Sequence, residues 1–356
     1  MPLKALVLSG GKGTRLRPLT HTMAKQLAPV ANQPVLYYVM RHLADVGIRE
    51  VGVIISPETG AQIQEALTPN PWGFQLTFIE QAQPLGLAQA VKTARPFLQD
   101  DPFVMYLGDN LLGQGLQPLI DQFTNAHADA AILLKEVPNP RAFGVAQVDS
   151  EGRVITLVEK PQNPPSNLAL VGAYVFSSAI HEAIDQITPS WRNELEITDA
   201  IRWLLEAGRP VRSSLLEAWW LDTGKKDDLL EANRIVLDDV ARQAIAGDVS
   251  ADSTIAGRVT IEPGAVVRGS TIRGPAIIGA NTQIIDTFIG PFTSIGRGCR
   301  VEQSVIEHAV VLDGAQVLGV ARLDDSVLGK NAVVRKVATN HNTYRLMIGD
   351  DSEVIL

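Results

Sequence analysis

The chain has 356 residues, 46% of them hydrophobic and 20% charged, a balance that gives room for two domains with large cores and excludes a disordered protein. Its net charge of −8, with no dense run of Lys and Arg, excludes a nucleic-acid binder, whose phosphates are met by clustered cations. A single cysteine, Cys299, excludes an internal disulfide, and with neither a leader nor an apolar span long enough for a membrane the expected compartment is the cytoplasm.

The apolar run 3–8 suits a buried parallel strand. It feeds Leu8-Ser9-Gly10-Gly11-Lys12-Gly13-Thr14-Arg15-Leu16, whose glycines let backbone amides converge on an anion while Lys12 and Arg15 add charge. Lys12 also reads as a solvated surface lysine. The order Lys-Gly-Thr is not that of a Walker loop, and Leu16 stands where a dinucleotide fingerprint needs Gly or Ala. Pro34 then opens a helix carrying Leu36, Val39, Met40 and Leu43 at helical spacing. A strand over 51–55, a helix over 58–67, a strand over 75–79, a helix from Gly86 toward Leu98 and a strand over 103–107 continue a doubly wound α/β pattern. The last strand delivers Asp109 to the sheet edge from which the glycine loop leaves, so the two are expected to be neighbours.

From Asp129 onward short strands over 130–134, 144–148, 154–158 and 170–176 suggest a more antiparallel section. A helix runs from Glu196 through Leu205. A second carboxylate, Asp222, follows a strand, and a helix over 225–240 comes next. Beyond it, Ile255, Ile261, Val267, Ile272, Ile278, Ile284, Ile289, Ile295 and Val301 recur about every sixth residue with glycines between. Such hexads mark a parallel β-helix, in which each short strand turns one aliphatic residue inward. The expected division is 1–240, 241–340 for the β-helix and a tail over 341–356.

Two aspartates beside a phosphate loop suit Mg²⁺, a hard ion that takes oxygen ligands from one or two carboxylates plus substrate phosphates. Arg15, Lys25 and Lys160 can spread the charge of a transition state at phosphorus. No Ser-His-Asp or Cys-His set and no zinc cluster is apparent in the sequence, so the chemistry is phosphoryl-group chemistry without a protein nucleophile.

The glycine loop, Lys25-Gln26-Leu27, Gly86-Leu87-Ala88-Gln89-Ala90, Leu107-Gly108-Asp109-Asn110, Glu159-Lys160-Pro161, Glu194-Leu195-Glu196-Ile197-Thr198-Asp199 and Trp220-Leu221-Asp222-Thr223-Gly224 together resemble the sugar-1-phosphate nucleotidyltransferases. Their order matches the glucose-1-phosphate thymidylyltransferases over roughly the first 240 residues. The hexad region resembles the left-handed β-helix of the long form, associated with deoxysugar and antibiotic pathways. The resemblance implies a Rossmann-like domain with a mixed sheet, a homo-oligomer (tetramer or trimer), and formation of dTDP-glucose and pyrophosphate from dTTP and α-D-glucose 1-phosphate. By similarity Asp109 and Asp222 hold the metal. Leu8, Gly10, Gly11, Gly13, Thr14, Arg15, Gln26, Gln81, Gly86 and Gly108 bind the nucleotide, Gln81 reading a pyrimidine edge through its paired donor and acceptor. Leu107, Asn110, Gly144, Glu159, Lys160, Val171, Gly172, Arg192 and Trp220 bind the sugar phosphate.

Two positions depart from the family. Ser9 replaces a frequent alanine, small for small, and Phe143 stands where a tyrosine is usual, removing a hydroxyl near the sugar. Three alternatives remain open at this point: UTP or another hexose 1-phosphate as substrate; an added acetyl transfer on the β-helix, with His308 or His341 as its base; and a non-catalytic sugar-nucleotide sensor.

Overall fold

The computed structural model describes residues 3–11, 13–150, 152–336 and 350–355. In chain order its elements are β1 (Lys4–Leu8), β2 (Pro29–Val30), β3 (Gln33–Pro34), α1 (Val35–Asp45), β4 (Glu50–Ile55), α2 (Gly60–Leu67), β5 (Gln75–Glu80), α3 (Leu87–Thr93), α4 (Arg95–Leu98), β6 (Phe103–Leu107), β7 (Asn110–Leu112) and α5 (Gln117–Asn125). They continue as β8 (Ala130–Glu136), β9 (Gly144–Val148), β10 (Val154–Glu159), β11 (Leu168–Phe176), α6 (Ala179–Gln186), α7 (Ile197–Glu206), β12 (Val211–Leu215), β13 (Trp220–Asp222) and α8 (Lys226–Val240). The helix expected from Gly86 to Leu98 is two helices. Pro96 has no amide hydrogen to give to the preceding turn, and the chain restarts at Arg95.

The residues group into two compact units. The first comprises the residues up to 11, 24–27 and 36–222; the second comprises 13–23, 28–35 and the residues from 223 on.

The first unit is built on a mixed sheet of order β10-β9-β11-β6-β1-β4-β5, with β8 paired to β11 and β12 to β8. β5, β4, β1 and β6 run parallel, and their central members are buried on both faces, as their unbroken aliphatic runs require. β11 is antiparallel to β6, β8 and β9. One side of β11 is shared by two partners: Leu168 and Ala169 pair with β9, whereas Ala173 to Phe176 pair with β6. Val171 and Gly172 fall between these ladders, so the sheet parts at that point.

In the second unit the hexads form a left-handed β-helix of three parallel sheets. Ile255, Ile272, Ile289 and Ile306 stand in one column; Ile261, Ile278, Ile295 and Val311 in another; Val267, Ile284, Val301 and Val317 in the third. Nearly all are fully buried. Most coils take 17 residues, so one side of the turn is a residue shorter than a strict hexad, and the steps from Ile295 to Val311 and from Val301 to Val317 are 16. At one corner the hydroxyls of Ser253, Ser270, Thr287 and Ser304 each accept the amide of the next coil, at 3.0–3.4 Å. These bonds satisfy backbone groups that the turn leaves without a sheet partner. α8 and the β2–β3 hairpin group with this helix. Asn233 on α8 is fully buried; its Oδ1 accepts from Ala31 N and Ser294 Oγ, and its Nδ2 donates to Phe292 O. Leu230 packs with Leu19, Met23, Val310 and Leu312. Of the expected tail over 341–356, residues 341–349 and 356 lie outside the described residues, as do Lys12 and His341. Asp351 accepts from His21 Nε2 at 3.0 Å.

Candidate active site

β1 and β6 end side by side, Leu8 paired with Leu107. Gly108 N donates to Leu8 O at 2.9 Å and Ser9 N to Ile54 O at 2.9 Å, so the glycine loop and Asp109 leave the same sheet edge together. A Cβ on Gly108 would lie 2.5 Å from Ser9 Oγ, and the two turns fit only because that residue has no side chain.

β7 and β13 form a separate antiparallel ribbon in which Asp222 faces Asn110, and this pairing brings two carboxylates distant in sequence to one place. Lys25 bridges them: its Nζ is 2.5 Å from Asp109 Oδ2 and 3.4 Å from Asp222 Oδ1. Burial alone would lower the Lys25 pKa, but the two carboxylates and their hydrogen bonds outweigh it and the net displacement is upward. Asn110 donates to Asp109 Oδ1 at 3.0 Å and accepts from Trp220 Nε1 at 2.7 Å. A cation of the chain itself sits between the two aspartates, so their placement and charge fit a hard divalent ion. Among the described residues no group of three or more His, Cys, Asp or Glu could hold a metal; the remaining ligands would come from substrate and water.

A second cluster forms around Glu159 at the end of β10. Lys160 Nζ is 3.4 Å from Glu159 Oε1 and Arg192 Nη1 is 3.7 Å from it. Lys160 has φ +40°, an uncommon left-handed conformation for a lysine, held by its amide bond to Phe143 O at 3.0 Å. Thr198 at the start of α7 donates to Glu159 Oε2 and fills the space over Gly144, where a Cβ would lie 2.6 Å from Thr198 Cγ2. Glu196, 3% exposed, accepts from Ser190 Oγ at 2.9 Å and Arg192 Nη1 at 3.3 Å. Burial raises its pKa, and the Ser190 hydroxyl works against that rise. Phe143 stacks obliquely on Trp220, ring centres 4.9 Å apart, and thereby joins this cluster to the Lys25 cluster. The ring of Phe143 has a packing role that the missing tyrosine hydroxyl did not suggest.

A third group lies beside the glycine loop. A Cβ on Gly10 would be 3.3 Å from Gln81 Oε1, and Gln81 Nε2 donates to Gly86 O and to Gln89 Oε1. Leu195 N donates to Leu85 O at 2.8 Å and Leu195 O accepts from Ala88 N at 3.1 Å. Gly86, at φ +106°, could not carry a Cβ, which would fall 2.3 Å from Leu195 O. Gly172 lies against Asn110 and Leu107, and Val171 has its side chain in the core, leaving its backbone at the parted sheet.

The structure thus brings Leu8, Gly10, Gly11, Lys25, Gln26, Gln81, Gly86, Leu107, Gly108, Asp109, Asn110, Gly144, Glu159, Lys160, Val171, Gly172, Arg192, Trp220 and Asp222 into the first unit, whereas Gly13, Thr14 and Arg15 group with the second. Sequence reasoning gave no role to Ser9, yet Ser9 Oγ and Gln26 Oε1 are buried with no hydrogen-bond partner among the described residues. Such orphaned groups next to a glycine loop suit a polar ligand. Glu194, Glu196 and Thr198 were visible only as a motif.

Residues 4–239 match the family model described as nucleotidyl transferase. A glucose-1-phosphate thymidylyltransferase of Streptomyces antibioticus is 48% identical over 99% of this chain and 99% of its own length. One from Streptomyces griseus is 46% identical over 98% of both. A Bacillus anthracis crystal structure, named provisionally for the same enzyme and holding sucrose, superposes with a TM-score of 0.62 at 33% identity, over 65% of this chain and 94% of that one. The chain belongs to the nucleotidyl transferase family. Within it, the full-length similarity sets the chain among the glucose-1-phosphate thymidylyltransferases.

Proposed function

We propose that the chain joins dTTP to α-D-glucose 1-phosphate, giving dTDP-glucose and pyrophosphate. The observation that supports this most is the Lys25–Asp109–Asp222 cluster beside the glycine loop. A sugar-phosphate oxygen attacks the α-phosphorus of dTTP, the bond from that phosphorus to the β-phosphate bridging oxygen breaks, and pyrophosphate leaves with the electron pair. No bond to the protein forms. Lys160 and Arg192 orient the attacking phosphate, Glu159 and the backbone at Gly144 and Val171-Gly172 the sugar hydroxyls, and Leu107, Asn110 and Trp220 the wall behind it. Lys25 and Arg15 meet the triphosphate and the charge developing on the departing pyrophosphate. Gly10, Gly11, Gly13, Thr14, Gln26, Gln81, Gly86 and Gly108 cradle the nucleotide, with Gln81 exchanging its contact with Gln89 for the pyrimidine edge. Asp109 and Asp222 would hold Mg²⁺, which would neutralise charge on the phosphates.

The proposed catalytic division is residues 1–240, in keeping with the span of the family match, although 13–23, 28–35 and α8 group with the β-helix in compactness; the β-helix follows over 241–340 and the tail over 341–356. Assembly into a homo-oligomer through the β-helix, a cytoplasmic location and service to a deoxysugar pathway complete the reading. Pyrophosphate release with glucose 1-phosphate and Mg²⁺, offering dTTP and UTP in parallel with Asp109→Asn as the blank, tests it. Preference for dTTP supports the assignment; preference for UTP overturns the role of Gln81; binding without turnover makes the chain a sensor.

A further inference from the structure

In the proposed function Arg192 holds the phosphate of the sugar substrate, and the roles of its neighbours rest on that reading. In the structure its guanidinium is already surrounded by anions. Nη1 reaches Glu196 at 3.3 Å and Glu159 at 3.7 Å, and Nη2 reaches Glu194 at 2.8 Å. With Lys160 the cluster holds two cations and three carboxylates, a surplus of negative charge where a phosphate has to bind.

The three carboxylates are not equivalent. The Glu196 side chain is 4% exposed, Glu159 17% and Glu194 28%. Glu196 is fixed from a second side by Ser190 Oγ, and Glu159 by Thr198 Oγ1. Leu195, the residue between the two motif glutamates, is stitched by both its backbone groups to Leu85 and Ala88, so the segment cannot shift as a whole. Glu194 has the shortest of the three contacts and the most accessible side chain, and it takes Nη2, whereas the other two take Nη1. A carboxylate and a phosphate present the same kind of oxygen pair to that fork.

We propose that Glu194 is a displaceable stand-in for the substrate phosphate on Arg192, while Glu196 is a positioning residue that holds the same guanidinium in place after Glu194 has left. Binding of glucose 1-phosphate then exchanges one anion for another at Nη2. Arg192 stays ordered in both states, and the exchange adds selectivity, since only a ligand that outbids a tethered carboxylate displaces it.

The two glutamates therefore act with opposite sign. In the full-length chain, with saturating dTTP and pyrophosphate release as the readout, Glu194→Gln is expected to lower KM for glucose 1-phosphate about threefold with kcat nearly unchanged, the scale of a partly exposed ion pair. Glu196→Gln is expected to raise that KM about tenfold, since it loosens a buried charged contact, with a much smaller change in kcat. In Glu194→Gln/Arg192→Ala the gain from the first change disappears. If Arg192→Ala alone leaves KM for the sugar phosphate unchanged, the assignment of Arg192 falls and the proposal with it. If Arg192→Ala raises KM while Glu194→Gln leaves it unchanged or raises it, the assignment stands and the proposal is overturned. Should Glu196→Gln fail to fold, the sign of the Glu194→Gln effect alone decides.

Discussion

The two units store their structure in the sequence in different ways. In the β-helix one rule is repeated: an aliphatic residue every coil in each of three columns, as with Ile255, Ile272, Ile289 and Ile306. No single position is special, and each coil supports only its neighbours. In the sheet unit the important positions occur once each. Lys25, Asp109 and Asp222 mean little separately and meet through the pairing of Asp222 with Asn110 and the bridge of Lys25. Repetition gives stability that is spread out, whereas assembly from distant segments gives chemistry that is concentrated. Substitutions in the two units are therefore expected to fail differently.

The largest effect belongs to the concentrated side. Asp109→Asn is expected to lower the rate of pyrophosphate release by about 10³-fold, on the scale of a lost transition-state electrostatic contact, with a melting temperature close to that of the parent; a large drop in melting temperature would break the contrast. Next is the β-helix column, where Ile284→Ala is expected to cost about 2–5 kcal/mol of stability as a buried cavity, read from chemical denaturation, with KM for both substrates held. Gly86→Ala lies between the two kinds. Its Cβ would collide with Leu195 O in a positive-φ backbone, so a loss of stability beyond the about 1–3 kcal/mol of backbone strain alone is expected together with a raised KM for dTTP, measured by melting and by kinetics.

The smallest effect is with pH. Burial holds the pKa of His42 and of His181 below the usual 6.5, so on acidification the unfolded chain takes up protons before the folded one does. Stability from these groups is present above about pH 6.5 and is lost as pH falls below it toward their lowered values. The β-helix columns carry nothing that titrates there. A denaturation midpoint that falls from pH 7 to pH 5, and falls less in His42→Asn and His181→Asn, is the expected result.

The same contrast explains how much of the molecule is legible in its sequence. The β-helix is legible because periodicity survives there, and the sheet strands because apolar runs bounded by glycine and proline do too. The carboxylates at positions 109 and 222 are visible as residues that come after strands. The ribbon that joins them is not, because three-residue strands leave no pattern of their own. α6 is equally hidden: Ala179–Gln186 is too short for its periodicity to stand out. Arg192 is matched to a phosphate only through the family resemblance, and its embrace by Glu159, Glu194 and Glu196 depends on side-chain directions that spacing does not encode. Ser9 reads as a neutral change, since whether a hydroxyl is left orphaned depends on what surrounds it.

The 17-residue coil also limits how this part of the chain can evolve. An extra residue inside one of its strands would turn the column side chain outward and a polar neighbour inward, since successive residues face opposite ways. Lengths are tolerated only in whole turns, or at the corners, and the step of 16 between Ser304 and Val320 shows one corner that has given up a residue without disturbing Val317. Duplication of a complete turn and a change of length at a bend are thus the edits that keep the columns intact, whereas an insertion within a strand breaks them.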